Sequence, residues 1–441
     1  MKIQSVEKSL FESMKSNLPP FVRPYYQEPL IIQNGSGANL CDTSGVTYLD
    51  AYCGVATAIL GHRAAIVDNA AVEQIRKFGH ISHIYINPSE ISYSEHLLSH
   101  VGDNLDKVFF VNSGSEAVDL ALCLAKGFSR GGDIIALKDS YHGGSYLSKC
   151  VTGLSNWSFP DCEIPGIHHC MTPKCHGCTH SSTCKVDSEA PCIQELVNTV
   201  RSSNPECIRE KSIPIVIIEP VLGVGGVIIP PPAYFNALNE LQAAGEIILI
   251  ADEVQTGFGR CGCQGSDSDN MILFGSQLFG LKPDIIALGK GIANGYPLGA
   301  VAMSSEIADS GREILHFNTF GGHPVSIAAA MATLSELIAD KIPRRVHHAG
   351  KILMESLHDS MKSPLDDNFF DLRGTGFFIG LETPSRTHAL AIMEKTRKKG
   401  LLLGLGGISG NTIRIEPPLI FSVDQCLCAA EILSAAVSEV I

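Results

Sequence analysis

EIILIADEVQTGFGR, residues 246–260, and KPDIIALGKGIANGYPLGA, residues 282–300, decide how this chain is read. Each holds a continuous apolar run of strand length that ends abruptly in polar and glycine residues. Unbroken apolar runs, as opposed to alternating ones, belong to strands buried on both faces. Four more lie around them: KVFFV at 107–111, DIIAL at 133–137, IPIVIIEP at 213–220 and GAVAM at 299–303, with helical patterns in between. Strands alternating with helices indicate an α/β core, a mostly parallel sheet covered on both sides. Ligands of such sheets collect at the carboxyl ends of the strands, where Asp252 and Lys290 fall.

Outside this core, SIAAAMATLSELIAD at 326–340 reads as a long helix. FFDLRGTGFFIGLE (369–382) and NTIRIEPPLIF (411–421) read as strands of a smaller lobe that closes with a helix near 423–440. The expected division is a large domain over 61–324 and a small α/β lobe built from both termini, 1–60 and 325–441. A cysteine-rich insert occupies 162–192.

The 441 residues carry 46 acidic against 33 basic groups, a formal charge of −13, which argues against nucleic acid as a partner. No apolar run reaches the roughly 18 residues of a membrane span. The amino terminus mixes charges and lacks a secretory or transit pattern, so a cytoplasmic location is expected. Fifteen cysteines in such a chain read as reduced thiols. Within the insert, Cys175, Cys178 and Cys184 have a spacing compatible with tetrahedral zinc; the alternative is a loop of packed thiols and no metal.

Four segments carry chemistry. In FFVNSGSEAVDLALCLAK (109–126) a strand runs into Gly114 and Ser115 and a helix opens at once, which suits a phosphate, although a serine N-cap with a glycine turn gives the same pattern. DSYHGGSYL (139–147) sets Tyr141 and His142 at a strand's carboxyl end, where an aromatic ring could stack on a flat cofactor; a buried tyrosine is the plainer reading. Asp252 and Glu253 end a strongly apolar strand, where a buried charge needs a partner. Asp252 could keep a cofactor's ring nitrogen protonated, whereas an acid capping the next helix would leave the same trace. Val254 and Gln255 follow, one to pack under the ring and one to reach its phenolic oxygen. Lys290, between Gly289 and Gly291, could form a Schiff base with an aldehyde and then move a proton between two carbons.

Taken together, NSGSEA, SYHGG, IIEPVLGVGG, ADEVQTGFGR, LGKGIANGYPLGA, NTFGGHP and RIEPPL, in this order over about 30–420, resemble the class III, omega-type aminotransferases of fold type I. The resemblance implies pyridoxal 5′-phosphate as cofactor. It places Gly114 and Ser115 on the phosphate, Tyr141 and Val254 on the two ring faces, Asp252 on the ring nitrogen, Gln255 on the phenolic oxygen and Lys290 on the aldehyde carbon. His142 falls among the cofactor contacts, and Glu219 beneath the cofactor. It also implies a homodimer in which Thr319 reaches the neighbouring subunit's phosphate. Arg414 matches the arginine that grips a substrate carboxylate, a planar bidentate task that suits guanidinium.

Within the family the chain is most similar to the alanine–glyoxylate aminotransferase 2 group. Val224 stands where ornithine and 4-aminobutyrate transaminases carry a glutamate that pairs with this arginine. The expectation is therefore an Arg414 open to small amino and oxo acids throughout the cycle. GHRAAIV at 61–67 and His323 in GGHP depart from the family pattern.

The expected activity is ping-pong transfer of an amino group from alanine or a β- or ω-amino acid to glyoxylate or pyruvate. A racemase, decarboxylase or phospho-lyase on the same fold is the alternative, and a non-enzymatic scaffold is a third reading that the presence of both Lys290 and Asp252 disfavours.

Overall fold

The computed structural model describes residues 2–26, 30–158, 163–180, 184–203, 212–263, 271–313, 315–362 and 369–441. At its centre is a seven-stranded sheet in the spatial order Lys107–Val111, Gly299–Met303, Ile285–Leu288, Ile248–Asp252, Ile215–Ile218, Ile134–Leu137, Ile167–Cys170. Gly299–Met303 runs antiparallel to both of its neighbours and the remaining pairs are parallel. The sheet is that of a fold type I transferase.

The unbroken apolar runs have their expected cause. Ile134, Ile215, Ile217, Ile248 and Ile250 pack with Val118, Leu122 and Ala125 of helix Gly114–Phe128 on one face. Ile135, Val216, Ile218 and Leu249 pack with Leu196, Tyr234 and Leu238 of helices Pro191–Ser202 and Pro232–Ala243 on the other. Side chains alternate across a strand, so burial of both faces removes any polar position from the middle of the sheet.

The seventh strand is a departure from the sequence reading. Ile167–Cys170, sequence IHHC, lies inside the cysteine-rich insert and pairs at the sheet edge with Ile134–Leu137. It is only half-buried, and its histidines are held by local bonds, His168 to Asp133 at 2.8 Å and His169 to the Val151 carbonyl at 3.2 Å. The insert thus extends the core before it becomes a loop. Within that loop Cys178 accepts a bond from the His180 N–H and Cys184 from that of Val186, both at 3.4 Å. Cys184 and Cys192 pack against the neighbouring core. Among the described residues, no group of three or more His, Cys, Asp and Glu side chains is arranged to hold a metal ion; Cys175, Cys178 and Cys184 line one cavity together with Cys192. Cys162 lies outside the described residues.

Two further four-stranded sheets involve the chain ends. Leu401–Leu402 pairs parallel with Thr47–Asp50, which joins the two ends in one sheet. Thr412–Ile415 lies between Phe378–Glu382 and Gly404–Gly406 in the other. Helix Pro324–Ala339 leaves the GGHP turn as expected, but His323 gives it no side-chain cap and stacks instead on His80, ring centroids 5.9 Å apart. No described helix is long and apolar enough to cross a membrane.

Glu253 ties the central strand to its surroundings. It is fully buried and accepts bonds from the Gly275 N–H at 2.9 Å, from the Ser276 N–H and from the Thr256 hydroxyl. Burial pushes its carboxyl pKa up, and these donors hold it back. Removing a buried acceptor leaves its donors unsatisfied, which costs on the order of 1–3 kcal/mol for each. Glu253→Ala is therefore expected to destabilise the protein by about 3 kcal/mol or more in chemical denaturation; a loss under about 1 kcal/mol would contradict this account.

Candidate active site

The carboxyl ends of the parallel strands bring together most of the residues singled out from the sequence. Ser113 caps helix Gly114–Phe128 by accepting the Glu116 N–H at 3.2 Å, so the first N–H groups of the helix face the sheet edge. A Cβ on Gly114 would lie 2.6 Å from a methyl of Val254, and one on Gly289 would lie 3.1 Å from the Gly114 Cα. Three chain segments therefore converge in van der Waals contact with no room for a methyl group, forming a close-walled cradle. Ser115 Oγ accepts the Gly144 N–H at 2.9 Å and so joins the cradle to the SYHGG turn.

Asp252 Oδ2 lies 2.7 Å from His142 Nδ1, and its Oδ1 accepts the Val254 N–H at 3.1 Å. Both side chains are buried, and His142 Nε2 is buried without a hydrogen-bond partner. His142 thus orients the Asp252 carboxylate from behind. Tyr141 meets Trp157 edge-on at 5.0 Å, and its backbone N–H donates to Glu219 at 2.8 Å. Glu219 also accepts the Gly223 N–H at 3.0 Å, which pins the turn after its own strand.

Lys290 opens a 3₁₀ turn, Lys290–Ala293, with a left-handed φ of 42°. A non-glycine residue there is uncommon, and such conformations gather at functional sites. Its Nζ donates to Gln255 Oε1 at 3.4 Å. Burial lowers the Lys290 pKa, the Arg414 charge adds to the lowering, and the carboxylates of Asp252, Glu219 and Glu416 oppose it. An amine with a lowered pKa is a better nucleophile near neutrality.

Gln255 links this amine to a buried acid. Its Nε2 donates to both oxygens of Glu416, at 3.1 and 3.0 Å. The expectation of an open Arg414 is overturned. Arg414 is 2% exposed, and its Nε donates to Glu416 Oε1 at 2.8 Å. Val224 leaves the family's usual position without an acid, yet Glu416, two residues along the same extended segment, neutralises the arginine instead. Glu416 and Tyr52, which receives a bond from Arg414 Nη1 at 3.2 Å, escaped the sequence reading. The two-residue spacing of Arg414 and Glu416 was the available signal, since side chains at i and i+2 share a face of an extended chain.

Thr319 is exposed on a loop whose neighbour, Asn318, is anchored. Glu116 Oε2 accepts from the side-chain amides of both Asn112 and Asn318 at 3.0 Å, and Asn112 donates to Asn318 Oδ1 at 3.0 Å. This triangle ties the loop to the start of the cradle helix and was also missed in the sequence.

A close-walled cradle at a helix start, a buried carboxylate with an orienting histidine, and a part-buried lysine at the same sheet edge fit an aldehyde cofactor with a phosphate and a protonatable ring. Gly114 and Ser115 could hold the phosphate, Tyr141 and Val254 the ring faces, Asp252 the ring nitrogen and Lys290 the aldehyde.

Comparison with known proteins agrees. Residues 22–437 match the family model described as Aminotransferase class-III. The chain is 33% identical over 440 residues, 98% of its own length and 87% of the relative's, to alanine–glyoxylate aminotransferase 2 homolog 2, mitochondrial, of Arabidopsis thaliana. It is 32% identical over 418 residues, 95% of its length and 96% of the relative's, to acetylornithine aminotransferase of Methanothermobacter thermautotrophicus. An amine transaminase structure from an uncultivated Pseudomonas species, described as PLP-bound, superposes with a TM-score of 0.83 at 28% identity, covering 96% of this chain and 98% of that one. The chain belongs to the class-III aminotransferase family and is a pyridoxal-phosphate-dependent transaminase.

The Glu219 carboxyl is pushed up from its ordinary 4.5 to about 7, chiefly by burial. The Asp252 charge adds to this, while His142 and the two backbone N–H groups oppose it. A pKa higher in the folded than in the unfolded chain gives stability that is complete below pH 4.5 and is lost as pH rises through 7. Glu219→Gln cannot ionise. The stability of the apoprotein variant relative to wild type is expected to be constant below pH 4.5 and to increase up to pH 7. Parallel denaturation curves across that window with no such divergence would show that the carboxyl titrates normally.

Proposed function

We propose that this transaminase takes an amino group from a small donor, alanine or a β- or ω-amino acid, and passes it to a small 2-oxo acid such as glyoxylate or pyruvate. The observation that carries the reading is Lys290, part-buried in a strained turn with its Nζ turned toward Gln255 at the edge where Asp252 ends its strand. Two relatives are named for alanine–glyoxylate exchange, which supports the choice of partners.

When bound, pyridoxal phosphate supplies an electron sink that lets the bonds at an amino-bearing carbon be broken. Lys290 would hold the aldehyde and, once displaced by the donor's amine, take up and return the proton at the reacting carbon. Asp252, oriented by His142, would keep the ring nitrogen protonated. Gly114 and Ser115 would fix the phosphate, and Tyr141 and Val254 would hold the ring flat. Residues 61–324 would form the cofactor-binding domain, with 1–60 and 325–441 as the small lobe.

The test is direct. Purified protein mixed with L-alanine and glyoxylate is expected to produce pyruvate and glycine, and borohydride is expected to fix the cofactor on Lys290. Lys290→Ala should lower kcat by about 10⁴-fold or more. Turnover by that variant near the wild-type rate would remove Lys290 from the mechanism.

We further propose a homodimer in which Thr319 reaches the neighbouring subunit's phosphate site. Support comes from a patch of exposed apolar side chains, among them Ile84, Tyr85, Ile86, Phe317 and Phe320, on two segments that adjoin through the His83–Phe109–His316 and His80–Phe320 ring contacts. Exposed apolar surface of this kind marks an interface. A cytoplasmic location is proposed on the thirteen free cysteines among the described residues, which suit a reducing compartment. Light scattering is expected to give twice the chain mass of 47.2 kDa, and Ile86→Asp to shift the protein toward single chains with weakened cofactor retention. A monomeric wild type that retains its cofactor would refute the dimer.

A further inference from the structure

Lys290 holds a conformation that its own turn does not supply. A left-handed φ of 42° is unfavourable for a residue with a Cβ, and the 3₁₀ turn that it opens is four residues long with no side-chain cap at its start. Two backbone bonds close the turn, from the Ile292 N–H to the Gly289 carbonyl at 3.1 Å and from the Asn294 N–H to the Gly291 carbonyl at 3.4 Å. What keeps the lysine in place comes from outside the turn.

Asn294 makes the connection. It ends the turn in the left-handed region, at φ 48°, and its side chain reaches a segment 233 residues earlier in the chain. Its Oδ1 accepts the Leu60 N–H at 2.7 Å, and its Nδ2 donates to the Gly61 carbonyl at 3.2 Å. A carboxamide offers one acceptor and one donor, so it pairs with this backbone as a neighbouring strand would. The receiving segment is itself fixed. The Ile59 carbonyl accepts the Leu419 N–H at 2.7 Å, and His62 exchanges backbone bonds with Gly37 at 2.8 and 2.9 Å. Ile59 also packs on the turn, since a Cβ on Gly291 would lie 3.0 Å from its Cγ2. Burial of Ile292 and Ala293 sets the depth of the turn in the core, and Asn294 fastens its far end.

Resting on the transaminase reading above, we infer that Asn294 is a positioning residue: by bolting the end of the lysine turn to Leu60 and Gly61, it holds Lys290 in its left-handed conformation with Nζ toward Gln255. A change of φ at the base of a long side chain moves its tip furthest. Released from the bolt, the turn relaxes and Nζ swings from the sheet edge into water. Burial lowers the Lys290 pKa, so hydration of the amine returns it upward, and this gives a readout that needs no cofactor.

Asn294→Gly removes both side-chain bonds and leaves the left-handed backbone free of steric cost, whereas Asn294→Ala removes the bonds and adds that cost. In wild-type apoprotein the Leu60 amide is expected to be protected from hydrogen exchange by about a hundredfold or more over an unstructured peptide. An unprotected Leu60 overturns the inference, whatever any variant does. In Asn294→Gly apoprotein the pH midpoint for acetylation of Lys290, followed by peptide mapping, is expected to rise by about one unit or more, and kcat of the holoenzyme with L-alanine and glyoxylate to fall about tenfold or more. If Asn294 serves only the left-handed backbone, Asn294→Gly matches wild type in both and Asn294→Ala alone is impaired, which overturns the inference. A lower melting temperature with midpoint and kcat unmoved gives Asn294 a purely structural role and overturns it equally. A raised midpoint in the variant of a protein that transfers no amino group from any donor would sink the transaminase reading and leave the placement of Lys290 by Asn294 standing.

Discussion

Carboxylates buried at the ends of parallel strands are the constraint around which this molecule is arranged. Glu219, Asp252 and Glu253 are each almost wholly buried, and a buried acid without donors would be very unfavourable. Each is satisfied by a different part of the chain. Glu219 collects the backbone of Tyr141 and Gly223, Asp252 collects His142 and Val254, and Glu253 collects the segment at Gly275. Satisfying these acids draws three loops to one edge of the sheet, and that edge is where a cofactor with a positive ring nitrogen and a lysine-bound aldehyde can sit. The electrostatic demand of the core and the geometry of the catalytic edge are thus one problem with one solution.

The far end of the cleft follows another rule. Tyr52, Arg414, Glu416, Gln255 and Lys290 form a continuous chain of polar contacts within 3.4 Å of one another. Side chains linked in this way do not move independently, so a change of charge at Arg414 is felt at Lys290 through two intermediaries. The buried arginine and the amine share one network.

What the sequence made legible and what it did not have physical causes. Both faces of the central sheet are buried, so its inner strands are apolar without interruption and could be read directly. Ile167–Cys170 could not, because a half-buried edge strand with two histidines carries no such signature. Neighbouring residues of a strand point to opposite faces, and the acidic pair at 252 and 253 divides accordingly: Asp252 meets His142 and Glu253 meets the backbone at Gly275. Arg414 is legible by resemblance, but its charge partner is not at position 224, where the family places it; Glu416, two residues further along, fills that role. The Asn112–Glu116–Asn318 triangle spans about 200 residues of sequence and leaves no local trace.

That triangle has a consequence for how two copies would meet. The loop bearing Thr319 is exposed and apolar at its tip, as a segment waiting for a partner often is, yet Asn318 is fastened to the cradle helix within the single chain. The conformational entropy of the loop is surrendered when the chain folds and not when the copies collide. Association in the proposed dimer is then rigid docking of finished surfaces, with a rate set by diffusion and orientation and free of any wait for a disordered segment to settle.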